Sequence, residues 1–152
     1  FLPLTGLIAL LVSRLLPDKP TPEDASAPRY LDATVLDTPS EALACAMRET
    51  LHLGDNVERM LRQSMEAIER SDLKLTREIE DADDSVDKLY EAIKLYLIGA
   101  SRAELSLEES RRAAEILTFV TNLEHVGDII DKNLMELAAK KAKNRLSFSA
   151  QG

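Results

Sequence analysis

Tryptophan is absent from this 152-residue sequence, glycine occurs five times, cysteine once, and aromatic residues make up only 4%. A single Cys45 permits no internal disulfide and supplies no zinc-ligand pattern. It lies among Ala42, Leu43, Ala44 and Ala46, a setting for a buried, inert thiol rather than a nucleophile. Sustained period-2 alternation is missing, which argues against a large sheet. Positive charge is in short supply: 19 Lys and Arg stand against 27 Asp and Glu, for a net charge of −8. Phosphate backbones call for a basic face, so the balance argues against nucleic acid as a partner. There is no Ser–His–Asp order, Gly-rich phosphate loop or Cys–His pair, and hence no catalytic constellation.

What is there suits helices. The chain is 45% hydrophobic and 30% charged, and its length allows one domain with a real core. Residues 1–16, FLPLTGLIALLVSRLL, are apolar apart from Thr5, Ser13 and Arg14. They are shorter than the roughly 20 residues a span requires and read as the end of a transmembrane helix cut short, with Arg14 and Lys19 at the cytoplasmic edge. An amphipathic or core helix is the other reading. Residues 17–38 read as a linker and extended segment, with four of the six prolines between 17 and 28.

From residue 39 to 145 the pattern predicts an all-α, antiparallel three-helix bundle. The first helix opens at Thr38-Pro39-Ser40-Glu41, with Thr as N-cap, and runs to Arg70. Its apolar stripe is Leu43, Met47, Leu51, Gly54, Val57, Leu61, Met65 and Ile68. The second runs from Leu73 to Ile98, with Ile79, Val86, Tyr90, Ile93 and Leu97 inward and Gly99 as the C-terminal cap. A capping box, Ser106-Leu107-Glu108-Glu109, opens the third, which reaches to about Lys143. Its inward face is Ile116, Val120, Leu123, Ile130, Leu134 and Ala138, with Gly127 in the core. Residues 146–152 read as the start of a connector.

Two acidic motifs carry the chemistry: Asp83-x-x-x-Asp87 on the second helix and Glu124-x-x-x-Asp128 on the third. Four-residue spacing puts both carboxylates of a motif on one side of a helix, and the hairpin places the two pairs at about the same height. Carboxylates gathered at one level repel unless a cation lies between them, and a hard metal ion takes oxygen ligands. A solvated acidic face is the alternative that spacing leaves open. On the helical wheel Asp83, Asp87, Glu124 and Asp131 border the apolar stripes, Asp128 lies just beyond, and Glu80, Asp81, Asp84 and Glu91 read as surface. His125 points away from the site. Glu49-x-x-His52 has the form used in di-iron bundles, but such sites need two of these motifs and further Glu.

The run Asp83-x-x-Val86-Asp87-x-Leu89-Tyr90, followed by Asn122-Leu123-Glu124-His125-Val126-Gly127-Asp128-Ile129-Ile130, resembles PhoU-like domains. The likeness is closest to the PhoU-like C-terminal domain of bacterial sodium/phosphate cotransporter proteins. Phe1-Leu2-Pro3-Leu4-Thr5-Gly6 looks like the end of that family's transmembrane portion. Pro28-Arg29-Tyr30-Leu31-Asp32 resembles its lead into the cytoplasmic domain. The resemblance implies a fragment cut at both ends, holding one three-helix repeat where the family usually has two. It implies divalent metal or iron ions held by Asp83, Asp87, Glu124 and Asp128, and a regulatory or accessory role without enzyme activity. It also implies an inner (plasma) membrane protein with this domain on the cytoplasmic side. The partner would be the transmembrane portion of the same transporter, with sodium and phosphate handled by that missing part. A homodimer is a further expectation, since a second copy would cover a lone repeat's open face. A metal-independent helical docking or dimerisation module is the alternative function.

Overall fold

The computed structural model describes residues 26–149; the expected membrane-helix end at residues 1–16 and the first part of the linker lie outside these residues. Helix α1 spans Pro39–Arg70, α2 spans Leu73–Ala100 and α3 spans Leu107–Ile129. A π-helical turn, Ile130–Leu134, carries α3 directly into α4, Met135–Ser149. The Met135 N–H bonds back to the Ile130 carbonyl across this turn, one residue further than the α-helical ladder reaches. Together α3, the π turn and α4 form the third rod of an antiparallel bundle. The rod runs past Lys143 to Ser149, because no glycine or proline breaks the sequence before Gly152.

Local chemistry sets most boundaries. Pro39 occupies the first turn of α1, although the Thr38 hydroxyl makes no capping bond. Asp72 caps α2 by accepting from the Lys74 and Leu75 N–H groups, and the Ser106–Glu109 box closes reciprocally at the start of α3. Gly99 does not end α2. The helix continues to Ala100 with Ser101 at the C-cap, and the bare face of Gly99 accommodates Leu36. Ser71 joins α1 to α2 in the left-handed region, at φ 56° and ψ 43°, with its hydroxyl buried and unpartnered. Lys141 of α4 donates to the Ile68 carbonyl at 3.0 Å, satisfying an acceptor in the last turn of α1.

The core draws Leu53, Met60, Ile79, Val86, Leu89, Ile93, Ile116, Val120 and Ile130 from all three rods. On α1 the buried face departs from the expected stripe. Ala42, Ala46, Leu53, Met60 and Ala67 are buried with Glu49, Thr50, Asn56 and Ser64. Met47, Leu51, Leu61 and Met65 stand exposed. Small residues let α1 approach its neighbours closely, and that gain outweighs the burial of larger chains on the adjoining stripe.

Glu49 explains how a carboxylate lies at 0% exposure. Its Oε2 accepts the main-chain N–H groups of Arg29 (2.8 Å) and Tyr30 (2.6 Å), and its Oε1 lies 2.9 Å from His52 Nδ1. The Tyr30 ring meets His52 edge-on and carries the Arg48 guanidinium 4.6 Å over its face. The Tyr96 hydroxyl donates to the Asp32 carbonyl at 2.7 Å. Burial and the adjacent Cys45 thiol push that phenol up to about 12. The lead-in is therefore folded down onto α1 and α2, with a 3-10 turn at Ala33–Val35, rather than lying extended. Cys45 is half-buried beside it.

Glu49→Ala leaves two N–H groups and a histidine without their acceptor and is expected to cost about 3 kcal/mol in urea unfolding. The Arg29 and Tyr30 amides should lose hydrogen-exchange protection in the same variant. Ser71→Gly relieves the left-handed backbone and removes the orphan hydroxyl. It is expected to stabilise the chain by about 1 kcal/mol in the same assay.

Candidate metal centre

Asp83 sits in the middle of α2, one residue-triplet before core residue Val86, and is only 9% exposed. Its Oδ1 is fully buried and has no hydrogen-bond partner. Desolvating an anionic oxygen without a partner is costly, which sets this atom apart from the two neutral groups in the same position among the described residues, Asn56 Nδ2 and Ser71 Oγ. Opposite it on α3 is Gly127, likewise buried. A Cβ at that position would lie 3.2 Å from Asp83 Oδ1 and 3.5 Å from Val86 Cγ1. The missing side chain is what admits the carboxylate against α3.

Around this contact the acids gather. Burial first, then repulsion from Asp131, Asp87 and Asp128, pushes the Asp83 carboxyl up to about 6, while Lys132 pulls it down. Asp87, one turn along α2 and more exposed, is pushed up as well. Loss of solvent leads there, followed by Asp128 and Asp84. Asp128 and Asp131 are half-buried on α3 and the π turn. Asp128 Oδ2 holds Lys132 Nζ at 2.7 Å, and that bond raises the Lys132 pKa. Glu80, Asp81, Asp84 and Glu91 lie on the exposed side of α2.

Three of the four expected ligands, Asp83, Asp87 and Asp128, thus influence one another electrostatically across α2 and α3, and Asp83 faces Gly127 of α3 directly. Glu124 is half-buried nearby, but the strongest influences on Asp83 and Asp87 do not include it. Its Oε2 lies 3.6 Å from Nε2 of His125. Asp131 takes part instead. Its place at the border of the apolar stripe was the signal for it, but it falls outside both four-residue motifs. It follows Gly127 by four residues, one turn along the same rod, with Ile130 beside it in the core. Glu49 and His52, the di-iron-like pair, face the lead-in and serve it as anchors.

The donor set suits a hard cation: carboxylate oxygens only, one of them buried and unsatisfied, at the edge of a core where local polarity is low. Among the described residues, no three His, Cys, Asp or Glu groups converge as a ready cage. Asp128 is turned to Lys132. The cluster is a set of oxygens that a cation could gather. It offers no nucleophile paired with a base.

Residues 50–137 match the PhoU domain family, and the chain belongs to it. The chain is 38% identical over 150 residues to a Salmonella typhimurium protein named "Putative inorganic phosphate export protein YjbB". Proteins of the same name from Escherichia coli O157:H7 and K12 are 37% identical over 151 residues. In each case 99% of this chain is covered, and it spans about a quarter of the relative, 27% to 28%. No solved structure matches the chain.

The raised Asp83 carboxyl fixes the sign of a pH effect. Its value moves from 3.8 to about 6 on folding, so the fold favours the protonated form and stability falls as pH rises across that window. In chelator-treated protein, Asp83→Asn should match the parent near pH 4 and exceed it in stability at pH 7. Urea titrations across this range check it; parallel profiles would contradict the assignment.

Proposed function

We propose that this chain is a regulatory or accessory domain of a membrane phosphate transporter. In this reading it works at the cytoplasmic face of the inner membrane, beside the transmembrane portion that moves phosphate with sodium. It binds divalent metal or iron ions through Asp83, Asp87, Glu124 and Asp128, with Asp131 added by its position at the cluster. The observation that carries the reading is the buried, unpartnered Asp83 carboxylate facing Gly127 amid Asp87, Asp128 and Asp131. An apoprotein that keeps such an atom forgoes stability that a neutral residue would supply, as binding sites commonly do. Membership of the PhoU family and the printed names of the relatives support the link to phosphate movement.

Within the site, Asp83 supplies the fixed, desolvated oxygen, and Gly127 leaves the space for it. Asp87 and Asp128 supply the solvent-side oxygens. Glu124 reaches the cluster by leaving His125. A bound cation supplies positive charge that relieves the repulsion among these groups and ties α2 to α3. The site senses or gates through that tie; bond-breaking chemistry has no group to carry it.

A second reading is a metal-independent docking or dimerisation module. It is favoured by the exposed apolar stripe Met47, Leu51, Leu61 and Met65 on α1, together with Phe119 and Val126 on α3.

Elemental analysis separates the two. The full chain, purified without chelator or affinity metal, is expected to carry metal. The variant with Asp83→Asn, Asp87→Asn, Glu124→Gln and Asp128→Asn should carry none, its affinity reduced by about 100-fold or more in calorimetry. Metal in neither chain, with self-association that ignores chelators, would favour the docking module.

A further inference from the structure

The carboxylate cluster has a cation of its own. Lys132 rises from the π turn, and its ammonium lies 2.7 Å from Asp128 Oδ2. An ion pair four residues apart on a helix surface is ordinary and contributes little. This one differs in its surroundings. The same ammonium lowers the pKa of both Asp83 and Asp87 on the opposite helix, and Asp83 and Asp131 act back on it. Its ion pair is with Asp128, and its charge is felt by three further carboxylates, Asp83 and Asp87 on α2 and Asp131 on the π turn. One of the four carboxylates, Asp83, is nine-tenths buried with an oxygen that has no partner, so the cluster already points to a ligand beyond its own side chains.

We propose that Lys132 is a tethered counter-ion that stands in for the metal: it holds Asp128 while the site is metal-free, and an incoming divalent cation must displace it. The proposal rests on the reading of Asp83, Asp87 and Asp128 as metal ligands. The side-chain arrangement agrees with it, since Asp128 is engaged with Lys132 and no three acids converge as a cage among the described residues. Displacement is easy. The Lys132 side chain is 66% exposed, and its four-carbon stem can swing the ammonium into water without disturbing the bundle. A +1 charge beside the site also repels a +2 ion approaching it, so Lys132 sets a threshold concentration below which the site stays in its lysine-bound form.

The test titrates Mn²⁺ and Zn²⁺ separately into chelator-stripped full chain by calorimetry, for the parent, Lys132→Gln and Lys132→Arg. Lys132→Gln should bind metal more tightly, by about tenfold, and Lys132→Arg should keep the parent affinity. In the absence of metal, Lys132→Gln should melt at a lower temperature than the parent, and adding Asp128→Asn should restore the melting point. Parent binding with unchanged or weaker affinity in Lys132→Gln would overturn the counter-ion role while leaving the metal site standing. Binding of neither metal to any of the chains would overturn the metal site and this inference together. An unaltered metal-free melting temperature would likewise count against it, because the cluster's repulsion would then not depend on Lys132.

Discussion

The closeness of α2 and α3 at Gly127 is the constraint on which the site depends. Without a side chain there, the two helices meet with a carboxylate between them. A charged group in that position cannot keep its water, and Asp83 has no protein partner to replace it for Oδ1. Every other feature of the cluster follows from that deficit. Asp87, Asp128 and Asp131 add to the negative potential, and Lys132 answers it from the rim. The bundle tolerates this because the rest of the interface is apolar and well filled, from Ile79 and Val86 to Ile116 and Val120.

A second buried carboxylate, Glu49, shows the opposite solution. It is more deeply buried than Asp83, yet two main-chain N–H groups and a histidine ring meet its oxygens. The contrast separates an acid whose oxygens are met from one with an oxygen left over. Burial alone does not distinguish them; the count of partners does. Glu49 settles the lead-in against α1, while Asp83 Oδ1 has no hydrogen-bond partner.

The helices were legible in the sequence because their ends are marked by local chemistry. Pro39, Asp72 and the Ser106–Glu109 box act within one turn and need no knowledge of the fold. The α2 and α3 stripes were legible too, since Ile79, Val86, Ile93, Ile116 and Val120 keep helical spacing. On α1 the reading was half right: Leu43 and Val57 are in the core and Ile68 packs against it, but the rest of the large apolar residues in the stripe are not. Met47, Leu51, Leu61 and Met65 are exposed, whereas the packed face mixes Leu43, Leu53, Val57 and Met60 with alanines and with polar residues, of which Glu49 has its main-chain partners far along the chain. Long-range partners also hid the role of Glu49, twenty residues from Arg29. At the cluster, four-residue spacing brought out Asp83, Asp87 and Asp128. Asp131 escaped it, because it stands three residues after Asp128 and so falls outside both four-residue motifs.

The anchoring of Arg29 and Tyr30 to Glu49 has a mechanical consequence. The chain ahead of Arg29 leaves the bundle from a point bolted to the buried side of α1, not from a frayed end. Tyr96 fastens the next few residues to α2 through the Asp32 carbonyl. The lead-in is thus bonded to two rods of the bundle at once. One of those rods, α2, carries Asp83 and Asp87 further along its length. The same few bonds therefore fold the lead-in and brace α1 against α2, so the lead-in belongs to the bundle's packing and is not an appendage to it.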